Sequence, residues 1–473
     1  MKEDSLLQAF SAHFPQQYPY GKTKAPGRVN LIGEHTDYNG LPVLPMAICR
    51  SIRTVFAPRE DSKVVLRNLD PHFPEREFDI KPDIEPYPTG DWGNYAKAAV
   101  WKLVNTVLEK EPRFKFRGMS VLVHGDIPKA AGLSSSSALV VSIGLAFSAA
   151  NDLGFSPEEM AKLMASAERY VGTAGGGMDQ TICLLAQENC ALKIEFFPDL
   201  ATQPVSIPED YHVVVFNSLV TAPKTERVRL LFNMRAKESE LATRIVSRHL
   251  VGVELGNLGE LILRYGNGPE ELLSQAQRIL QGQWTPARVA QELELSLAAF
   301  TEQHMRTGGR EDLLDVPDSG FALWPRFRHA LTEGHRVRQA FAYLKAGDAE
   351  RFGDLMNASH QSCAVDYGIS CAELDQLVTL ARQHGAQGAR LTGAGFGGCA
   401  VALVEKKRVE PLIEAMTREY YGKYIREERP ELYTKLQRNG NQEVILHTQP
   451  QAGASWEILA AEQVVAAAAD DTL

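Results

Sequence analysis
The spacing of apolar positions changes several times along this chain of 473 residues. In the first half, short β-type runs at 64–67, 120–124 and 212–216 alternate with helical patterns. Ser156-Pro157-Glu158-Glu159 combines a capping serine, a proline at the first helical position and a glutamate three residues after the cap. That order predicts a helix running to about Tyr170. Residues 224–384 read as mostly helical, with further starts at Thr285-Pro286 and at 370–373. β-type runs return at 400–404 and 443–447, and no internal repeat is visible. The pattern predicts an α+β fold of two domains, 1–210 and 211–459, with a site in the cleft between them. The Ala-rich, acidic tail at 460–473 is expected to fray or be disordered.

The longest apolar helical run, 139–149, follows directly on Gly132-Leu133-Ser134-Ser135-Ser136-Ser137-Ala138. This arrangement reads as a phosphate-binding loop feeding a buried helix. A helix N-terminus leaves N–H groups unpaired and carries about half a positive charge, which suits an anion. Gly132 allows close backbone approach, and the serines supply hydroxyl oxygens for phosphate or metal. The plainer alternative is a serine N-cap on a core helix.

Composition narrows the class. At 44% hydrophobic and 23% charged, with a net charge of −9, the chain is of ordinary globular type. It has no dense Lys/Arg cluster, so nucleic acid is not an expected partner. Six scattered cysteines lack Cys-x-x-Cys spacing, which argues against structural zinc and a disulfide framework. No signal-like N-terminus and no apolar run of about 18 residues occur, so a cytoplasmic, non-membrane protein is expected.

Further motifs carry chemistry. Gly393-x-Gly395-x-x-Gly398 fits a dinucleotide fingerprint, but a strand-like run follows it rather than a helix. No Gly-x-x-x-x-Gly-Lys-Ser/Thr loop occurs, nor the His-Arg-Asp and Asp-Phe-Gly motifs of protein kinases. Glu34, His35 and Asp37 lie within four residues in a Gly-flanked loop. They suit hydrogen bonding to vicinal sugar hydroxyls better than metal ligation; a solvated turn is the plainer reading. Gly175-Gly176-Gly177-Met178-Asp179 wraps main chain around an acid that alternatively caps a helix.

Three segments, 25–40, 132–138 and 390–399, together resemble the signature motifs of the GHMP small-molecule kinases. The stretch from Gly27 to Tyr38 has the galactokinase form, and the resemblance spans about 24–459. It implies an N-terminal ribosomal-S5-like domain and a C-terminal ferredoxin-like domain with helical insertions. It implies transfer of a phosphoryl group from ATP, with Mg²⁺, to the anomeric hydroxyl of galactose. Arg28 and Asp179 would be catalytic. Glu34, His35, Asp37, Gly176 and Phe232 would join them around the sugar. Gly132, Leu133 and Ser134 to Ser137 would hold ATP, as would Trp92 by a looser resemblance, a core aromatic being the alternative for it, while Ser136 and Glu168 would hold Mg²⁺. A monomer is expected. N-acetylgalactosamine is the alternative sugar, and a non-catalytic sensor of sugar and ATP the alternative class.

Overall fold
The computed structural model describes residues 3–128, 131–172, 175–220, 226–306, 313–438 and 444–460. Its strands are β1 (Gly21–Asn30), β2 (Pro45–Arg59), β3 (Lys63–Asn68), β4 (Arg76–Asp79), β5 (Gly118–Gly125), β6 (Cys190–Glu195), β7 (Ala201–Ser206), β8 (Tyr211–Asn217), β9 (Ala386–Thr392), β10 (Cys399–Glu405), β11 (Ile445–Thr448) and β12 (Ser455–Ile458). They form a six-stranded sheet ordered β12-β1-β2-β5-β3-β4, a four-stranded sheet ordered β11-β8-β10-β9, and the β6–β7 hairpin.

Helix α1 (Glu3–His13) covers one face of the six-stranded sheet through Leu6, Leu7 and Phe10. The other face carries α3 (Ser135–Ala150) and α5 (Met178–Leu185), with α2 (Gly93–Lys110) and α4 (Pro157–Ala167) packed on α3. Helix α3 is buried along nearly its whole length, as its uninterrupted apolar run requires. Helix α4 starts at the predicted capping box, with Ser156 and Glu159 satisfying each other's backbone N–H groups. It ends at Ala167 and continues as a 3₁₀ turn over Glu168–Val171.

The predicted helical stretch comprises α6 (Glu226–Val251), α7 (Leu258–Tyr265), α8 (Pro269–Ile279), α9 (Pro286–Glu292), α10 (Leu297–Phe300), α11 (Leu323–Lys345), α12 (Ala349–Ser362) and α13 (Ala372–Gln383). Thr285 caps α9 as expected, and Cys371 precedes α13. Helices α6 to α10 enclose a separate apolar core with part of α11. Between β10 and β11 lies α14 (Val409–Met416). Strand β8, helices, β9, β10, α14 and β11 make a β-α-β-β-α-β unit with spatial order 4-1-3-2, the ferredoxin-like arrangement. The chain passes from the β6–β7 hairpin into the four-stranded sheet at β8, and β12 returns to the six-stranded sheet to pair with β1. The predicted strand near 443–447 is β11, and the tail at 461–473 lies outside the described residues.

Candidate active site
The serine loop and the Gly-walled acid meet beside β1. Ser134 is the N-cap of α3 with φ 60°, and Ser135, Ser136 and Ser137 form its first turn. The helix therefore opens inside the serine run, and the amides of its first turn have no intrahelical acceptor. Ser134 does not cap its own helix; its hydroxyl donates to Asp179 Oδ2. Asp179 sits in the first turn of α5, where the helix dipole favours negative charge. The buried Arg28 on β1 grips it with a fork: Nε donates to Oδ1 at 2.7 Å and Nη2 to Oδ2 at 2.9 Å. Its third nitrogen, Nη1, donates to the Gly132 carbonyl at 2.6 Å. One guanidinium thus ties the acid to the loop.

The sugar-loop residues lie against this pair. Glu34 is buried and fully engaged: Asn30 Nδ2 donates to Oε2 at 2.7 Å, Gly393 N–H to Oε1 at 2.6 Å, and Arg390 Nη1 stands 3.4 Å from Oε1. Burial raises its pKa, opposed by Arg390 and Arg28. His35 has φ 60° and a pKa lowered to about 3, chiefly by burial, so it is neutral. Its Nε2 faces the Ala394 carbonyl at 3.2 Å, which cannot donate, so Nε2 carries the proton. Nδ1 then accepts from the Tyr38 hydroxyl at 2.6 Å. Asp37 Oδ2 accepts from Gly176 N–H at 3.1 Å, and burial followed by the charge of Asp179 lifts its pKa to about 6. A side chain at Gly176 would strike Tyr38 N at 2.3 Å, so only glycine lets these two loops touch. The half-buried Phe232 on α6 packs its ring 5.0 Å from that of His35.

Two expected residues are placed differently. The hydroxyl that reaches Glu168 belongs to Ser137, at 2.7 Å, and not to Ser136. In the first turn of α3 the third residue turns toward the end of α4, while Ser136 stays half-buried. Trp92 is 7% exposed, its indole N–H bonds the Pro74 carbonyl at 3.0 Å, and its ring packs on Phe73. That is a core position, and Trp92 is not carried into the site.

The third motif joins the halves. Thr392 Oγ1 accepts from Asn30 N–H at 2.8 Å. Gly393 has φ 85°, and a Cβ there would lie 2.6 Å from the Gly132 carbonyl. The glycines therefore pack main chain on the serine loop. Glu333 and His329 were not singled out from sequence, because isolated polar residues on a helix carry no local signal. Arg390 and Tyr38 stood at the edges of the Gly-rich segment and the sugar loop, with nothing in the chain to mark their partners.

Comparison with known proteins agrees with this geometry. The GHMP kinases N terminal domain matches residues 94–187, and the GHMP kinases C terminal domain matches 340–422. The chain belongs to the GHMP kinases, enzymes for which ATP is a substrate. The galactokinase galactose-binding signature matches residues 8–58. A galactokinase of Dictyostelium discoideum is 34% identical over 90% of this chain and 89% of its own length. That of Saccharomyces cerevisiae is 31% identical over 88% and 89%. Within the family the chain falls among the galactokinases. The Lactococcus lactis galactokinase, solved with galactose, superposes with a TM-score of 0.73 at 27% identity, covering 95% of this chain and 98% of that one. A mevalonate kinase at 17% identity and a TM-score of 0.51 shares the fold.

Proposed function
We propose that this protein transfers the γ-phosphoryl group of ATP to the anomeric hydroxyl of galactose. The observation that carries the reading is the Arg28–Asp179 fork, set between the serine loop and the Glu34–Asp37 loop. Asp179 Oδ1 accepts one bond from Arg28 and keeps a lone pair for the sugar hydroxyl, while Oδ2 holds both Arg28 and Ser134. Asp179 thereby orients that hydroxyl and accepts its proton. Arg28 offsets charge growing on the transferred phosphoryl oxygens, where such stabilisation is worth most in a site shielded from water. The first-turn amides of α3, with Gly132 and Leu133, receive the phosphates. Neutral His35, Asp37, Gly176 and Glu34 surround the sugar, with Phe232 against its ring.

Mg²⁺ fits the donors present. Among the described residues no group of three His, Cys, Asp or Glu side chains forms a cage. One carboxylate, Glu168, and the hydroxyls of Ser136 and Ser137 suit a cation shared with phosphates and water. Bound there with ATP, it would supply neutralisation of phosphate charge.

Galactose is favoured over N-acetylgalactosamine because the relatives are galactokinases and one solved neighbour holds galactose. The test is a hexose panel that includes both sugars, with ATP consumption measured and the product examined by ³¹P NMR. Galactose should give an anomeric phosphate. Absence of turnover with galactose, while another sugar is phosphorylated, overturns the assignment.

A further inference from the structure
Glu34 is held by a chain of groups from the other domain, all on α11, α12 and β9 and all buried but the half-buried Arg336. Arg336 Nε meets Glu333 Oε2 at 2.6 Å. Glu333, fully buried, accepts Gly33 N–H at 2.9 Å on Oε1, where the Ser359 hydroxyl also donates. Ser359 Oγ accepts from Arg390 Nε at 3.1 Å. Arg390, also fully buried, donates through Nη1 to the Asn30 carbonyl at 3.0 Å and faces Glu34 Oε1 at 3.4 Å. Positive and negative groups alternate along the chain, with the neutral Ser359 hydroxyl between Glu333 and Arg390.

We infer that Glu333, Ser359 and Arg390 form a positioning relay that fixes Glu34 and the Gly33 backbone for sugar binding. The inference rests on the galactose reading above. None of the three need touch substrate. Glu333 holds the Gly33 backbone, and through Ser359 it orients the guanidinium that holds the Asn30 carbonyl and Glu34 on either side of it. A shared hydroxyl is the hinge: Ser359 cannot donate to Glu333 and accept from Arg390 unless both lie as observed.

The electrostatics agree. Burial works to raise Glu333, but Arg336 in close contact, helped by Arg390 and Ser359, brings it down to about 2. Glu34 has its arginine farther off, and burial wins. The charged groups facing the Glu34 carboxylate are Arg390 from β9 and Arg28 from β1, with Asp37 on its own loop; neutral His329 from α11 touches only its backbone carbonyl.

The test compares Ser359→Ala, Glu333→Gln and Arg390→Gln with wild type, each checked for folding by thermal melt. The expected result is a galactose KM raised about tenfold in the first two, the size of one lost buried hydrogen bond, with ATP KM and kcat little changed. In Arg390→Gln the acid limb of kcat/KM for galactose should move to higher pH, since Glu34 loses the charge that most opposes its protonation. A galactose KM within about twofold of wild type in folded Ser359→Ala and Glu333→Gln, or an equal rise in ATP KM, overturns the relay. If Arg390→Gln does not fold, Ser359→Ala decides, since it removes only a hydroxyl. A wild type that does not phosphorylate galactose refutes the function itself, which the variant comparison would not.

Discussion

At the scale of single residues, the site turns on two side chains 151 positions apart, Arg28 and Asp179. Asp179→Asn keeps the shape but presents an NH₂ group where Arg28 or Ser134 donates. We expect kcat to fall by about 10²–10⁴-fold with galactose and ATP still bound. Stopped-flow turnover beside equilibrium binding checks this; a variant above a tenth of wild-type kcat removes Asp179 from catalysis. The serines separate by helix phase. Ser137→Ala deletes the hydroxyl on Glu168 and should weaken Mg²⁺-dependent nucleotide binding. Titrating nucleotide at several Mg²⁺ concentrations, with Ser136→Ala in parallel, shows which hydroxyl sets the metal dependence. The sequence marked the four serines as a group. It did not show which one faces Glu168, because that depends on the residue at which α3 begins.

At the scale of elements, the serine loop, α3 and the Gly-rich turn after β9 act as one body. Gly393→Ala would place a methyl group against the Gly132 carbonyl in a left-handed conformation. The strained backbone alone costs about 1–2 kcal/mol, and the contact with a carbonyl adds to it. We expect a lowered melting temperature and a larger loss in ATP affinity than in galactose affinity, since the displaced partner is the phosphate loop. Calorimetric titration with each ligand distinguishes this from general unfolding, in which both would weaken alike. Elements were legible where local rules decide them. The capping box of α4, the cap at Thr285 and the buried run of α3 all have signals within a few residues. Trp92 shows the limit. The resemblance set it near ATP, yet Phe73 and the Pro74 carbonyl claim it for the core.

At the scale of the molecule, the two domains are joined through buried polar groups at the sugar loop. His329 on α11 donates from Nε2 to the Glu34 carbonyl at 3.0 Å and is fully buried, its pKa lowered to about 4 mainly by desolvation. A histidine buried neutral contributes no pH dependence above its unfolded pKa of about 6.5, where both states are neutral. As pH falls from 6.5 toward 4, the unfolded chain takes up a proton that the folded one refuses, and stability is lost. His329→Gln has no such titration. Wild type should therefore lose about 2 kcal/mol relative to that variant between pH 7 and pH 5, at about 1.4 kcal/mol per unit below 6.5. Chemical denaturation of both proteins at the two pH values measures the difference. A constant gap would show that His329 is hydrated in the native state.

The amino-acid sequence by itself determined the class of fold, the helical middle, and the identity of the loops that make the site, because each rests on contiguous patterns: apolar periodicity, caps, and clustered glycines and serines. Only the tertiary structure decided which groups share a proton or a charge. Ser134 turns away from its own helix to Asp179, and Arg390 meets Glu34 across 356 positions. Burial then sets the ionisation of His35 and Asp37, and Arg336 overrides it at Glu333, since the cost of charge depends on what surrounds a group in space and not on its neighbours in the chain.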